Sequence, residues 1–370
     1  MINILPRRGS VAHVSSAHPY TDNRIHYREC QTLTNAGYDV TLIAVDSDVD
    51  GPTSGVRVLT IPKRTRFKRA FLSSTQVIYL AIKSRAKIVH LHDPELIPFI
   101  PILRISGRSV VYDAHEDLPM QILTKPYLSR AVGRAAVIPA HALIAFARLA
   151  AHRVVAATEQ VAVRYGPDKT VVVHNYPPLR IEENSPPIKD NIAVYIGAIS
   201  ENRGIIEMLR STECRDFPSS WELHLAGRGG AKFLEAIEEI GNWSRVVYHG
   251  ELPSDKARDL LLRSKVGIVV LASTPAHREA FPTKMFEYFA ASLPVIASDF
   301  PVWRNIIEDS DSGTLVDETD PDAIARAIKA YSESPEIVEA HSKNARLHAL
   351  EVRNWTTEGL KLVAAYESLT

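Results

Sequence analysis

Cysteine and long apolar runs are both scarce in this sequence. Of 370 residues only Cys30 and Cys214 are cysteines, which excludes a disulfide framework and favours a reducing compartment. No run reaches the roughly 18 apolar residues that a membrane-spanning helix needs. Arg7 and Arg8 near the start have no long apolar stretch behind them, so no signal peptide is predicted. We therefore expect a cytoplasmic protein.

Acidic residues are missing from two long stretches of the first half, residues 51–92 and 118–158. Residues 1–180 hold 23 Lys and Arg against 13 Asp and Glu, whereas residues 181–370 hold 20 and 30, so net charges of +10 and −10 cancel in the whole chain. A basic half suits anionic partners. Nucleic acid is not predicted among them, because the second half would repel phosphate and no recognition motif is present.

Short apolar strands alternate with helical segments along the whole chain, which is typical of parallel sheets covered on both faces. In the first half, strands are predicted at Val11–Ser15, Val40–Val45, Val56–Ile61, Ile88–His92, Ser109–Asp113, Arg153–Ala156 and Thr170–His174, with helices such as Arg24–Ala36 and Ser73–Ser84. A second series of strands follows at Ala193–Ile196, Trp221–Ala226, Arg245–His249, Val266–Leu271, Pro294–Ala297 and Gly313–Val316. Helices are predicted there near Ile205–Thr212, Lys232–Ile240, Ser254–Arg263, Thr283–Ala291 and Asp320–Glu333.

A proline-rich polar stretch separates the two series. Residues 175–187 contain two Pro-Pro pairs and no periodicity, which is typical of a linker. We predict one Rossmann-like domain over residues 1–176 and a second over residues 177–353. In two such open α/β sheets, the ligand site is expected in the cleft between them, at the carboxyl ends of the strands.

The most informative segment contains two glutamates, Glu279 and Glu287, separated by seven residues. A helix is predicted to begin near Thr283, because Pro282 suits a helix start. Free backbone N–H groups and the positive end of the helix dipole bind phosphate oxygens at such a start, and Lys284 adds a formal charge. The sequence therefore predicts a phosphate site between the two glutamates.

Glu287 stands among apolar neighbours, Met285, Phe286 and Phe289, and is predicted to be buried. A buried carboxylate needs hydrogen-bond donors, which the two hydroxyls of a ribose would supply. Glu279, at the other end of the phosphate site, could accept the hydroxyls of a donor sugar. The alternative is that Glu279 is a solvated loop residue and that Glu287 forms a local cap or salt bridge.

This segment resembles the E-x7-E region of family 4 glycosyltransferases, which have the GT-B fold and retain anomeric configuration. The pattern Pro-x-Lys-x-Phe-Glu-Tyr-x-Ala that begins at Pro282 is similar to that of bacterial enzymes that build surface polysaccharides. The resemblance extends over nearly the whole chain. It implies two Rossmann-like domains facing across a cleft, with a C-terminal helix at residues 354–370 crossing back to the first domain. It also implies that Glu279 contacts the transferred sugar and Glu287 the ribose.

Gly197 and Arg203 form a second predicted phosphate contact. A glycine after a strand lets the backbone approach a ligand closely, and an arginine can pair with a diphosphate through two N–H groups. The family usually has an arginine directly after this glycine, but here the residue is Ala198, so one expected contact is absent. The alternative is that Gly197 only turns the chain and that Arg203 is solvated.

Two further glycine loops border the nucleotide by resemblance. Gly227 lies in Leu-Ala-Gly-Arg-Gly-Gly, which is not the dinucleotide fingerprint. Gly250 and Leu252 lie in Tyr-His-Gly-Glu-Leu, which resembles the base-binding loop of the family. Backbone contacts leave no signature in a sequence, so the identity of the nucleobase stays open.

An apolar strand of the first half ends at His115. By resemblance this histidine faces the donor sugar, where it binds a hydroxyl or aids catalysis, since a histidine can donate a hydrogen bond and carry a proton near neutral pH. The alternative is a histidine held by Asp113 or Glu116 for structure. Glu116 and Asp117 are its candidate partners.

The loop after the first strand lacks the glycines that many family members have there. Asp22 and Arg24 of this loop are predicted either to face the acceptor or to brace the loop. Bracing and substrate contact are both left open by the sequence.

Two short sequence clusters resemble metal-binding motifs. His90, His92 and Asp93 are close in sequence, and both histidines would share one face of a strand, but no third convergent ligand is evident. Asp46-Ser-Asp48 imitates the metal motif of another glycosyltransferase fold, although a solvated turn fits it better. We predict a metal-independent enzyme without a cofactor.

Positive charge stands beside apolar surface in the first half. The stretch of residues 63–69 has five basic residues, and residues 135–151 are nearly uncharged, which suits docking on the anionic inner face of a membrane. Such docking would match a lipid-linked acceptor, for example one carried on a polyprenyl diphosphate. A solvated face and a buried helix explain the same pattern equally well.

The sequence thus predicts a retaining glycosyltransferase that moves a sugar from a nucleotide-diphosphate sugar to a glycan or lipid-linked acceptor. Family frequency favours a uridine-diphosphate sugar. Two alternatives remain: a nucleotide-sugar epimerase or hydrolase of the same fold, and a non-catalytic sugar-nucleotide-binding partner subunit. The departure at Ala198 gives the last some support.

Overall fold

The chain forms two compact units. The computed structural model describes residues 8–47, 51, 54–123, 130–179 and 189–369. Unit 1 comprises Met1–Asn175 and Trp355–Thr370, and unit 2 comprises Tyr176–Asn354. The chain therefore leaves the first unit, builds the second, and returns to the first for its last helix.

Unit 1 is built on a parallel seven-stranded sheet in the order β3-β2-β1-β4-β5-β6-β7. The strands are β1 Gly9–Pro19, β2 Tyr38–Val45, β3 Arg57–Ile61, β4 Ile88–Leu91, β5 Ser109–Ala114, β6 Arg153–Ala156 and β7 Thr170–Val172. The α-helices are α1 Gln31–Asn35, α2 Arg66–Lys68, α3 Ser74–Lys83, α4 Ile100–Ile105, α5 Leu118–Leu123, α6 Arg130–Ala150 and α7 Glu159–Tyr165. Wider π-turns occupy Ile25–Cys30 and Arg69–Ser73, and a 3₁₀ helix occupies Pro94–Phe99.

Unit 2 repeats this plan with a parallel six-stranded sheet in the order β10-β9-β8-β11-β12-β13. Its strands are β8 Asp190–Ile196, β9 Glu222–Ala226, β10 Val246–Tyr248, β11 Ser264–Val269, β12 Val295–Ser298 and β13 Gly313–Val316. Its α-helices are α8 Ile205–Ser211, α9 Ala231–Ile237, α10 Ser254–Arg263, α11 Pro275–Arg278, α12 Thr283–Ala290, α13 Pro301–Ser310, α14 Pro321–Glu333 and α15 Pro335–Glu351. Short 3₁₀ turns lie at Glu201–Arg203 and Trp243–Arg245.

Each predicted strand coincides with an observed one, because apolar β-branched runs are buried from both sides in parallel sheets. The last helix, α16 Trp355–Glu367, packs on unit 1, as predicted. It buries Trp355, Leu362 and Tyr366, and the Trp355 indole N–H donates to the Thr32 hydroxyl at 2.7 Å.

Several helical segments differ from prediction, among them α11 and α13, where no helix was predicted. The predicted helix Arg24–Ala36 begins with the π-turns of Ile25–Cys30, which turn extra side chains inward. The predicted helix Ser73–Ser84 has seven more helical residues before it, from Arg66. Helix α15 was not predicted, because it is anchored mainly through two small residues, Ala345 and Ala349, that give no apolar periodicity.

None of the helices in the described part of the chain is long and apolar enough to cross a membrane.

Candidate functional site

Three glycines line the carboxyl edge of the unit 2 sheet. Gly197, Gly227 and Gly250 follow strands β8, β9 and β10, and the N–H of Gly227 donates to the carbonyl of Gly250 at 2.7 Å. Gly227 has φ +142° and Gly250 φ +67°, which favour glycine. A Cβ atom on Gly227 would overlap the Gly197 carbonyl group. The edge is therefore a floor of closely packed bare backbone, with open space at Gly250.

Lys284 reaches over this floor from helix α12. Its ammonium lies where a Cβ atom on Gly197 would stand, and 5.8 Å from the centroid of the Tyr195 ring. Burial lowers the pKa of Lys284; the carboxylate of Glu287 opposes this shift and the charge of Arg203 adds to it. The charge of Arg203 therefore acts on the half-buried ammonium of Lys284.

Arg203 is held in place by an unusually close turn. Gly204, which follows it, has φ +63°, and a Cβ atom there would stand 2.5 Å from the Val270 carbonyl oxygen. Arg203 is half-buried and close enough to Tyr195 for its charge to act on the phenol. Burial raises the pKa of Tyr195 to about 12, and Arg203 limits that rise. Among the described residues, neither Arg203 nor Lys284 forms an ion pair closer than 4 Å with a carboxylate.

The start of α12 points further donors at this site. Pro282 precedes the helix with φ −83° and ψ 74°, and no side chain caps the first turn. The Thr283 N–H donates to the Phe281 carbonyl, but no acceptor within the described ranges receives the N–H groups of Lys284 and Met285. Free N–H groups, the helix dipole and the lysine together make an anion-binding arrangement.

The prediction that Glu287 is buried is wrong. Helix α12 turns its buried residues toward the core: Met285, Phe286, Tyr288, Phe289 and Ala290. Thr283 and Glu287, four residues apart, share the opposite face and are exposed. Apolar neighbours in sequence surround Glu287, but the helical period of 3.6 residues places them on other faces. Its carboxylate is thus accessible to a ligand rather than dependent on one.

Glu279 lies between α11 and α12 and is exposed. The loop that carries it is fixed from two sides. The Trp303 indole N–H donates to the Ala280 carbonyl at 2.8 Å, and His277 Nδ1 lies 2.8 Å from the Ala272 carbonyl oxygen. The position of Glu279 is therefore set by neighbours that do not engage its carboxylate.

The predicted base-binding loop is tied to the same floor. The Tyr248 hydroxyl donates to the Gly227 carbonyl at 2.9 Å. Leu252 is half-buried and packs against the core of unit 2, while Gly250 between them has no neighbour within 4 Å of the place of a Cβ atom. Ala198, which replaces the expected arginine, is exposed.

In unit 1, His115 follows strand β5 and is half-buried. Its Nδ1 lies 3.2 Å from Asp113 Oδ2, so the other ring nitrogen is left for a ligand. Glu116 and Asp117 do not pair with it, contrary to prediction. Glu116 accepts from the Gln121 amide, and Asp117 pairs with Arg164 at 2.7 Å, because both residues lie beyond the strand end, near the next helices.

Asp113 is the centre of a buried network. Arg24 donates to its two oxygens at 3.0 and 2.8 Å, and His92 Nδ1 lies 3.1 Å from Oδ2. Burial opposes ionisation, but Arg24 outweighs it and holds the pKa of Asp113 well below its usual range. Asp22 accepts the N–H groups of Arg24 and Ile25 at 2.9 Å each. Asp22 and Arg24 therefore brace the loop, one of their two predicted roles.

The Asp-x-Asp turn is only partly described. Asp46 Oδ1 accepts the N–H of Ser47 at 3.0 Å, which is a local turn contact, and Asp48 lies outside the described residues. The structure places two further potential metal ligands, His13 and Glu29, beside His90 and His92.

His18 lies against His115, with ring centroids 5.2 Å apart. Burial opposes its charging, but the hydrogen bond to Asp22 and the charge of Asp93 raise its pKa to about 9. A pKa raised in the folded state stabilises the protein below about pH 6.5 and ceases to do so as pH rises through about 9. We expect an NMR titration of His18 to give a pKa near 9, falling toward the ordinary histidine value in Asp22→Asn. An unchanged value in that variant would contradict the assigned cause.

Residues 179–348 match the family model described as "Glycosyl transferases group 1".

The matched residues lie within unit 2 and make up less than half of the chain.

Curated relatives are named as sugar transferases. The chain is 27% identical over 175 residues to "Lipopolysaccharide core biosynthesis mannosyltransferase LpcC" of Rhizobium leguminosarum bv. viciae, covering 45% of this chain and 46% of the relative. It is 26% identical over 146 residues to "Putative teichuronic acid biosynthesis glycosyltransferase TuaC" of Bacillus subtilis, covering 39% of this chain and 34% of the relative. The chain thus matches less than half the length of these relatives.

Solved structures resemble the whole chain. Sucrose-phosphate synthase of Thermosynechococcus elongatus has a TM-score of 0.71 at 18% identity, covering 98% of this chain and 99% of that one. HepE of Anabaena, solved with UDP-glucose, has a TM-score of 0.71 at 14% identity, covering 98% and 100%. The predicted GT-B fold is confirmed by these matches and by the two parallel sheets.

Proposed function

We propose that the chain is a retaining, metal-independent glycosyltransferase that binds a nucleotide-diphosphate sugar at the glycine floor of unit 2. One observation carries this proposal. Lys284 and Arg203 act on each other at a surface of bare backbone beside an uncapped helix start, and within the described chain no carboxylate within 4 Å neutralises either one. Two neighbouring half-buried cations that form no close ion pair within the described chain fit an anionic ligand.

The diphosphate is the part of the donor that these cations bind, and it belongs to the leaving group. Charge develops on it as the sugar departs, and fixed donors that already point at that position stabilise the transition state. Lys284, Arg203 and the N–H groups at the start of α12 serve as these donors in place of a metal ion. Glu287, one turn further along the exposed face of α12, takes the ribose hydroxyls. Glu279 takes hydroxyls of the donor sugar.

His115 in unit 1 is proposed to bind the donor sugar through the ring nitrogen that Asp113 leaves free. Asp113 fixes the tautomer by accepting the Nδ1–H, so Nε2 can accept a hydroxyl hydrogen. The assignment of His115 to the donor sugar rests on the family resemblance and on the local geometry of unit 1.

Names of relatives support the identity of donor and acceptor. HepE was solved with UDP and with UDP-glucose, which favours a uridine-diphosphate donor. LpcC and TuaC are named for lipopolysaccharide core and teichuronic acid biosynthesis. We therefore propose a glycan or polyprenyl-diphosphate-linked acceptor in the synthesis of a surface polysaccharide.

A nucleotide-sugar binding screen tests the assignment of Glu287. Replacing Glu287 by alanine removes the acceptor for the ribose hydroxyls, at a cost of about 1.5–3 kcal/mol for bonds to a charged group. We expect affinity to fall about tenfold or more for every nucleotide sugar and equally for the free nucleotide diphosphate. Isothermal titration calorimetry on the native chain and the variant measures this.

Glu279→Ala is the matched comparison, because this glutamate is also exposed but is assigned to the sugar. It should weaken binding of the nucleotide sugar and leave binding of the free nucleotide diphosphate unchanged. If Glu287→Ala binds all ligands like the native chain, or if the two variants behave alike, the assignment of the two carboxylates is wrong.

Product analysis separates transfer from the two alternatives. Donor incubated alone would yield an isomerised or hydrolysed sugar from an epimerase or hydrolase, and should stay intact with a transferase. Normal donor binding without glycosylation of any glycan or polyprenyl-linked acceptor would favour a non-catalytic partner subunit.

An exposed basic and aromatic segment, residues 63–72, supports membrane docking of unit 1. Phe67, Phe71 and Leu72 are 77%, 62% and 54% exposed, and Arg66 and Lys68 beside them are exposed as well. Apolar side chains that enter the interface and cations that attract anionic headgroups are the two components of such docking.

Vesicle flotation tests this docking. We expect the native chain to float with vesicles that contain anionic phospholipid, to float less as salt is raised, and not to float with neutral vesicles. Phe67→Ser with Phe71→Ser should reduce flotation without altering donor affinity. Equal flotation of the double variant would exclude this segment as the docking surface.

A further inference from the structure

Four fully buried side chains meet inside unit 1. His13 belongs to β1, His90 to β4 and His92 follows β4, while Glu29 reaches them from the π-turns of Ile25–Cys30. The side chains of all four have an exposed fraction of 0%. His13 and His90 stand side by side in the register of two neighbouring strands, so the sheet itself brings the rings together.

One atom from each residue converges on a common point. Glu29 Oε2 lies 3.8 Å from His13 Nδ1, 3.7 Å from His90 Nδ1 and 4.0 Å from His92 Nε2. His13 Nδ1 and His92 Nε2 are 2.9 Å apart. A ligand atom from each of the four residues lies within 4.8 Å of those of the other three. Tetrahedral zinc with bonds of about 2.0–2.2 Å needs ligand atoms separated by roughly 3.4 Å, and the separations in the cluster surround this value.

Glu29 is buried beside the charge of Arg24 but receives no hydrogen bond. Neither of its oxygens accepts a hydrogen bond in the structure. Arg24 Nε lies 3.0 Å from Oε1, but its N–H is directed to Asp113. His90 Nε2 is likewise buried without a hydrogen-bond partner. A cation at the common point would satisfy the carboxylate directly.

The histidines are suited to be neutral ligands. His13 and His90 are fully buried, a setting that disfavours the charged imidazolium, and metal ligation requires the neutral imidazole. His92 contacts Asp113 through its other ring nitrogen at 3.1 Å, the carboxylate–histidine arrangement that orients metal-bound imidazoles.

We propose that His13, Glu29, His90 and His92 form a buried, four-coordinate structural site for one divalent metal ion, with zinc the best match to three imidazoles and one carboxylate. Binding displaces the proton shared between His13 and His92. It also shifts the Tyr366 hydroxyl from His90 Nδ1, 2.7 Å away, toward His13 Nε2, 3.4 Å away. The ion would join two strands, the π-turns and, through Tyr366, the last helix. It has no part in the metal-independent donor chemistry.

The sequence shows no third ligand for a metal at His90 and His92. His13 stands 77 residues before His90, and Glu29 61 residues before it, so only the fold brings them together. The fold therefore supplies the two ligands that the sequence did not reveal.

Metal analysis of the full chain tests the proposal. The protein is made without a histidine tag, unfolded in denaturant with a chelator, and refolded with or without Zn²⁺, because a fully buried site loads as the chain folds. After exhaustive dialysis, we expect about one zinc per chain by mass spectrometry of the metal and a higher melting temperature for the zinc-refolded protein. Refolding with Co²⁺ should give the intense visible absorption of tetrahedral cobalt.

Variants localise the ion. Glu29→Gln and His90→Gln should lower metal content at least about tenfold and abolish the effect of zinc on the melting temperature. His26→Gln is the matched control, since His26 is buried in the same π-turns but bonds to the Tyr20 carbonyl and Ser54 instead; it should retain the metal. If the ligand variants fail to fold, the cobalt spectrum of the native chain decides. A native chain that refolds without binding any of these ions would overturn the proposal.

Discussion

Replacing Lys284 by methionine is expected to lower kcat/KM for sugar transfer about 10²–10³-fold, the usual effect of removing one donor that stabilises developing charge in a transition state. The lysine lies directly over the Gly197 backbone, and burial already lowers its pKa. Methionine keeps most of the side-chain volume and removes the charge. Steady-state kinetics with a nucleotide-diphosphate sugar and the matching acceptor measure the loss.

Lys329→Met is the control for this experiment. Lys329 is a lysine of the same unit, paired at the surface with Asp216 at 2.7 Å, and surface pairs contribute about 0–1 kcal/mol. Its loss should leave kcat/KM unchanged. Equal kinetics in Lys284→Met and the native chain would remove the main support for the diphosphate site, whereas loss in both variants would indicate a nonspecific effect of charge.

Replacing Arg24 by methionine is expected to cost unit 1 about 3–5 kcal/mol of unfolding free energy, as breaking a buried ion pair does. Arg24 is buried and gives three hydrogen bonds, two to Asp113 and one to the Val173 carbonyl at 3.1 Å. Without it, Asp113 and Glu29 remain buried with less compensation. Urea unfolding, followed by hydrogen exchange of peptides from β1 and β5, reports on this unit specifically.

Arg164→Met supplies the comparison within the same unit. Arg164 pairs with Asp117 at 2.7 Å, but both side chains are partly exposed, so the change should stay below about 1 kcal/mol. Exchange rates in Arg24→Met that match those of Arg164→Met would show that the buried network adds no stability.

The strands were predictable because a buried parallel strand has a recognisable local sequence pattern. Runs such as Val40–Val45 and Val266–Leu271 are apolar on both faces, and no tertiary information is needed to recognise them. The helix start at Thr283 was equally local, since Pro282 marks it. Prediction failed for Glu287, because its sequence neighbours are buried on other faces of the helix. A helical wheel of α12 alone would have exposed the error.

The buried network of unit 1 was not predictable in the same way. From the sequence, Asp113 was considered only as a possible structural partner of His115. Its hydrogen bond with Arg24 joins two residues that are 89 positions apart in the chain. Glu29 reaches the histidines because π-turns, which have no reliable sequence signature, rotate it inward. Long-range pairing of polar side chains depends on the packed sheet, so a single sequence does not contain it in readable form.

Unit 1 is assembled from two separate pieces of the polypeptide. The closing helix, Trp355–Glu367, is synthesised after all of unit 2, yet its Tyr366 bonds to a histidine of β4 in the middle of the first sheet. During translation, at least 179 residues must be added before that core can be sealed. Until the closing helix has been made, the part of the first sheet that it covers stays exposed to solvent and to chaperones.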